Sequence, residues 1–386
     1  MGSDKDKADS VSHNNNLNGE DTTKMLNDNV DDWLFPKEDK GILRPGTYAK
    51  YMECLRAPNY TVFSNEDSEK PWILKHKNEK KTVVSLESAH DGIHVAFGGY
   101  STSETAIPAH GDMGDNTTAG FDPIFYFHHC FVDYTFSIWQ RLNKLTKRGD
   151  LTIEEDLGGT ELKSGQLPNF PRGTRVDMST PLHPFKKPGV EDYYTSDDAT
   201  DLNELGIAYG IGSLDPLLPK AFELAGSENP PFDNLNPQPS DSITLAGNNP
   251  DNVDVFPLIK RIYNISLTDY EGSFVIRLFA KGHDGNEYEV GRKPVLSRWN
   301  IDACRNCQNH LDVEAYIPID ARTLELLEGP VDATGKKAKI GWLLKIQTHD
   351  KLLESPNASV DEVHGVEISD EESSRAKFEG PIVEDL

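Results

Sequence analysis

Two stretches about 30 residues apart carry the residue types and spacing from which chemistry could be built: Glu87-Ser88-Ala89-His90-Asp91-Gly92-Ile93-His94 and Asp122-Pro123-Ile124-Phe125-Tyr126-Phe127-His128-His129-Cys130-Phe131-Val132-Asp133. His90 and His94 stand four residues apart in a helix-compatible run, so both imidazoles leave one face a turn apart. The second stretch supplies a further histidine within an apolar, aromatic-rich helix able to pack against the first. Three neutral imidazoles with an open position describe a metal centre that performs chemistry. Asp133, one turn after His129, suits an acceptor that fixes a ligand's tautomer.

The elements that position these residues follow from periodicity. Lys81 to Phe97 and Asp122 to Leu145 read as the two histidine-bearing helices. Arg44 to Arg56 opens with a proline and spaces Tyr48, Tyr51, Met52 and Leu55 as an apolar helical stripe. Thr146 to Leu218 is proline-rich and loop-like, with a short helix expected around Pro219 to Leu224. Four later runs, beginning at Phe256, Ser273, Asp312 and Ile340, alternate as strands, with a turn at His283-Asp284-Gly285-Asn286. The expected fold class is α+β: a partial helical bundle holding the metal, then a C-terminal β-sandwich. The expected organisation is a disordered leader 1–32, a helical metal-binding domain 33–226, a linker 227–251, a β-domain 252–360 and an acidic tail 361–386.

Asp122-Pro123-x-Phe125-Tyr126-x-x-His129-x-x-x-Asp133, with His90-x-x-x-His94 upstream and Trp139-Gln140 behind, resembles the second copper half-site of tyrosinases, catechol oxidases and molluscan haemocyanins. The resemblance covers Leu43 to about Asn143 well and the β-region loosely. It implies His90, His94 and His129 as metal ligands. His128 is expected to point elsewhere, because helix neighbours diverge by about 100°. Glu87 matches a glutamate that orients a water near the metals in fungal tyrosinases; an exposed helix carboxylate is the plainer reading.

Departures from that family shape the functional expectation. Upstream of His90 only His13 and His76 occur, in polar contexts, so the three histidines of a first copper site are missing. Dioxygen binding between two coppers needs both sites. Asp91 replaces a common asparagine and offers a base; His110 occupies a loop where a small polar residue was expected; Tyr134 stands in place of a usual arginine. A single open site is closer to Zn²⁺ Lewis-acid chemistry, with Cu²⁺ the alternative. The half-site resembles fungal haemocyanin-like cyclopenases, which implies a zinc lyase/isomerase acting on a small aromatic alkaloid (cyclopenin to viridicatin with loss of methyl isocyanate). Glu87, Asp91 and His110 are the candidate catalytic residues. A copper phenol oxidase of the tyrosinase or catechol oxidase type, or a non-catalytic metal-binding remnant, are the alternatives.

The remaining composition narrows the field. A net charge of −25 disfavours nucleic acid and anionic membranes as partners. No apolar run is long enough to span a bilayer, and the leader lacks an apolar signal region, so a cytoplasmic location is the expectation. Cys54 and Cys130 read as buried thiols, whereas Cys304-x-x-Cys307-x-x-His310 resembles a cysteine pair linked with copper delivery in some fungal tyrosinases. Two helices with apolar faces need a cover. Either the segment before Lys81 supplies it or two chains pair as a homodimer, the latter being the expectation.

Overall fold

The computed structural model describes residues 19–101, 111–154, 170–171, 173–210, 212, 214, 256–299, 311–354 and 382–385. Eight helices and nine strands are described. Helices α1 (Gly19–Leu34), α2 (Thr47–Cys54), α3 (Tyr60–Ser64), α4 (Glu69–Lys75), α5 (Leu86–Phe97) and α6 (Ile124–Asn143) come first. A small hairpin of β1 (Pro181–Lys186) and β2 (Tyr193–Thr195) precedes α7 (Ser196–Thr200). Then follow β3 (Leu258–Ser266), β4 (Phe274–Lys281), β5 (Glu287–Val295), β6 (Asp312–Ile319), α8 (Ala321–Glu328), β7 (Gly341–Thr348), β8 (Leu352–Glu354) and β9 (Ile382–Asp385).

The helical region is built around α5 and α6, whose apolar positions meet Tyr51, Met52, Cys54, Leu55 and Phe63 of the preceding segments in one core. Trp139 of α6 lies stacked on Phe63, ring centroids 4.6 Å apart, and its indole N–H donates to the Ala57 carbonyl at 3.1 Å. That satisfies the single polar atom of a fully buried indole. Thr47 packs so closely on Gly92 that a Cβ there would lie 2.7 Å from its Oγ1, which brings α2 onto the metal-bearing helix. The segment before Lys81 thus covers one face of the helices. An outward aromatic stripe persists at Phe121, Tyr126 and Phe127, the last 72% exposed.

The C-terminal strands form two antiparallel sheets, ordered β6-β3-β9 and β5-β4-β7-β8. Central β4 is buried along all but its last residue, and side chains of both sheets share a core including Ile262, Phe274, Ile276, Ile317 and Ile346. The β4–β5 turn falls at the expected residues, with Gly285 at φ +79°.

Two expectations need correction. The leader is not wholly disordered, since Gly19–Leu34 is helical. Leu26, Val30, Trp33 and Leu34 form a helical stripe that the Asn/Asp-rich composition obscures, and Trp33 is buried with Val95, Ala96, Tyr100 and Val275. The acidic tail likewise ends in a strand: β9 pairs with β3, burying Val383, and Asp385 ion-pairs with Lys260. The expected linker 227–251 and the helix around Pro219 to Leu224 lie outside the described residues.

Helices and sheets are joined by buried charge. Glu289 of β5 accepts from Arg292 (2.7 Å from both Nε and Nη2) and from Arg277 Nη2 at 2.7 Å. Arg292 also lies over the Trp33 ring, and Arg44 reaches Asp32 of α1. Burial alone would raise the Glu289 carboxyl, but Arg292 and Arg277 outweigh it and hold it at about 2. An unfolded glutamate titrates near roughly 4.3, so this stabilisation is complete above that pH and is lost as pH falls toward the folded value. Acid denaturation of the wild type should therefore steepen below about pH 4.3. Glu289→Gln, which leaves two buried guanidinium groups short of a counter-charge, should lose about 3–5 kcal/mol in denaturant titrations at neutral pH.

Candidate metal centre

Helix α5 begins where Ser85 Oγ accepts the Ser88 N–H at 3.1 Å, a side-chain cap that fixes the first turn. One turn later His90 and His94 leave the same face, ring centroids 4.4 Å apart. Helix α6 begins behind Pro123, with Asp122 Oδ1 accepting the Ile124 N–H at 3.0 Å, and presents His128 and His129 in its second turn. The two helices bring four imidazoles together, one ligand atom of each within 4.8 Å of every other. His90, His94 and His129 are the three expected histidines. His128 joins them instead of turning away: its ring stacks on His90, centroids 4.9 Å apart at 22°, and sits edge-on to His94 at 5.1 Å. The 100° argument fixes where a side chain leaves the helix, whereas an imidazole is long enough for two diverging neighbours to reach one space above the axis.

Three of the four rings are oriented from behind. His94 Nδ1 meets the Met113 carbonyl at 2.8 Å, so it carries the proton and Nε2 presents a lone pair. His128 donates to the backbone carbonyl of His90. His90 Nδ1 meets Asp91 Oδ1 at 2.9 Å. The Met113 carbonyl arrives by close backbone approach, because a Cβ on Gly98 would lie 2.5 Å from Gly114 Cα. Phe125 covers His129 one turn away, centroids 4.2 Å apart.

The Nε2 atoms of His94, His128 and His129 are buried and have no hydrogen-bond partner. Such orphaned acceptors facing one another are costly unless something binds them. Burial pushes His90 down to about 4, His94 down to about 4 and His128 down to about 2, with neighbouring imidazoles reinforcing the last two; His129 shifts in the same direction for the same reasons. Each shift favours the neutral imidazole, the form that ligates. An all-imidazole donor set suits copper or zinc. Two nitrogens on one such ion can stand at most roughly 4.2 Å apart, so the present spread requires a small inward closure. The residues fit the group.

The expected catalytic residues fare differently. Asp91 is buried and engaged with His90, so it braces a histidine from behind. Glu87 accepts the Glu66 N–H at 2.8 Å and is not among the converging groups. Burial of its carboxylate, then Glu66 and Asp91, push it upward, but solvent reaches the residue and moderates this displacement. His110 and the Cys304–His310 motif lie outside the described residues. Asp133 accepts from the Tyr209 hydroxyl and does not fix a described histidine. Cys130 is exposed, not buried, because it lies on the outward side of α6 with Tyr126.

Residues 3–142 match the common central domain of tyrosinase. Over 348 residues, 85% of its length, the chain is 34% identical to the tyrosinase HcTyr2 of Hahella sp. (strain CCB-MM4), covering 58% of that protein. It is 33% identical over 338 residues, 80% of its length, to a tyrosinase of Aspergillus oryzae, covering 57% of it. Tyrosinase from Burkholderia thailandensis at low pH superposes with a TM-score of 0.57 and 35% identity, over 84% of this chain and 57% of that one. The chain thus spans under three fifths of the length of these relatives.

These matches make the chain similar to members of the tyrosinase family over the region that carries the histidine cluster. The metal of that family is copper. Gly98→Ala should separate the Met113 carbonyl from His94 and weaken Cu²⁺ binding roughly 10-fold in chelator competition. Unaltered affinity would show that this carbonyl does not orient the ligand.

Proposed function

We propose that the chain is a copper-binding oxidoreductase of the tyrosinase or catechol oxidase type, acting on phenolic rings. The observation that carries this reading is the set of buried, partnerless Nε2 atoms facing one another in a tyrosinase-like helix pair. Copper held by these histidines would supply reversible one-electron chemistry. The chain's own residues do the rest. Met113, His90 and Asp91 orient the rings, desolvation keeps them unprotonated, and Phe125 limits water beside His129 and offers a face for a substrate ring.

A second reading retains one specific support. Among the described residues only one group of three or more metal-ligating side chains converges, and His76 instead stacks on Trp72. A mononuclear Zn²⁺ lyase/isomerase of the cyclopenase kind, acting without net redox change, would need no second centre.

Metal analysis and activity on the full chain separate the two. Copper-loaded protein should consume oxygen with catechol, and His129→Ala should lose most of its metal and this activity. Zinc at about one ion per chain, with conversion of cyclopenin and no catechol turnover, would replace the oxidase reading by the lyase one. Pairing of two chains across the exposed α6 stripe belongs to the same proposal; gel filtration at micromolar concentration yielding only the 43.0 kDa species would exclude it.

A further inference from the structure

Of the four histidines, His90 is the one whose rear nitrogen is held by a carboxylate among the described contacts; His94 and His128 use backbone carbonyls. The carboxylate, Asp91, sits where α5 meets the C-terminal sheet. The backbone N–H of Leu296, the residue after β5, lies near enough to Asp91 to favour its charged form. Three residues earlier, Lys293 ion-pairs with Glu66, and the Glu66 N–H in turn donates to Glu87 Oε2, one turn ahead of His90. Nearby, Glu69 Oε1 accepts the Ser85 N–H that opens α5. Four carboxylates, Glu66, Glu69, Glu87 and Asp91, therefore surround the start of α5, and Lys293 lies within electrostatic reach of all four. Lys50 of α2 faces Asp91 as a further cation.

We propose that β5 is a positioning element for the metal site, with Lys293 and the Leu296 backbone aligning His90 through Asp91 and the Glu66 turn. This inference rests on the reading of His90 as a ligand. Its physical basis is that the lysine end of the ion pair is buried and Glu66 is half-buried. Lys293 is 9% exposed, so its charge is poorly screened and the carboxylates must arrange themselves around it. Without it the four acidic groups lose the cation they share, and Asp91, the lever on His90, is among those displaced. Lys293 touches none of the four imidazoles in the described contacts, so its influence is transmitted through intervening residues.

The test uses the full chain, Cu²⁺ as probe, chelator competition for affinity and EPR hyperfine splitting for ligand geometry. Lys293→Met should weaken Cu²⁺ binding roughly 10-fold and shift the hyperfine splitting. Lys293→Arg, which keeps the charge, should restore both. In an Asp91→Asn background, itself shifted, Lys293→Met should add little, since both act through the same ring. Unchanged affinity and splitting in Lys293→Met, whatever the loss of thermal stability, would overturn the proposal. If Lys293→Met does not fold, an unshifted spectrum of Asp91→Asn overturns it equally. His90→Ala reports on the underlying reading: undiminished Cu²⁺ binding there would mean that His90 is no ligand, a failure distinct from that of the bracing.

Discussion

Four neutral imidazoles forced into one desolvated gap between α5 and α6 set the terms for the surrounding structure. Each buried ring must satisfy one nitrogen behind it if the other is to remain free in front. That requirement explains why glycine backbone approaches the end of α5, why α6 supplies two adjacent histidines against one partner helix, and why an aspartate follows the first of them. The gap gains nothing from hydrophobic burial at its centre. The helix packing around it, with Trp139, Phe63 and Ile93 in the core, sets where the rings stand.

The second principle is the use of fully paired charge to join the two halves. Glu289 with Arg277 and Arg292 is buried, the Glu66 pair with Lys293 is half-buried on its glutamate side, and both groups reach into the helical region. Buried ion pairs add little net stability compared with apolar packing, but they penalise misalignment heavily. In an acidic chain they also place the rare cations where carboxylates crowd most closely.

Residues with a chemical signature were legible from sequence. His90, His94 and His129 announced themselves by spacing and context, and β3, β4, β6 and β7 by alternation. His128 was not, because the angular rule for helix neighbours ignores side-chain reach. Helix α1 hid behind a polar composition although its apolar stripe was present. Asp133 reads as a histidine partner one turn on, yet a tyrosine 76 residues away takes its carboxylate. The alignment of Asp91 by β5 has no local signal at all. It is made by pairing across some 200 residues of chain, which a one-dimensional pattern does not encode.

That last contrast has a consequence for how the chain acquires its site. All four imidazoles fall within a 40-residue stretch from His90 to His129, so an ion gripping them closes a short loop at modest entropic cost and can staple α5 to α6 early. The sheet that trues the first of those rings depends on contacts of far greater sequence separation and forms on a slower clock. Gathering the ligands is thus local in the sequence, whereas aligning the first of them is long-range.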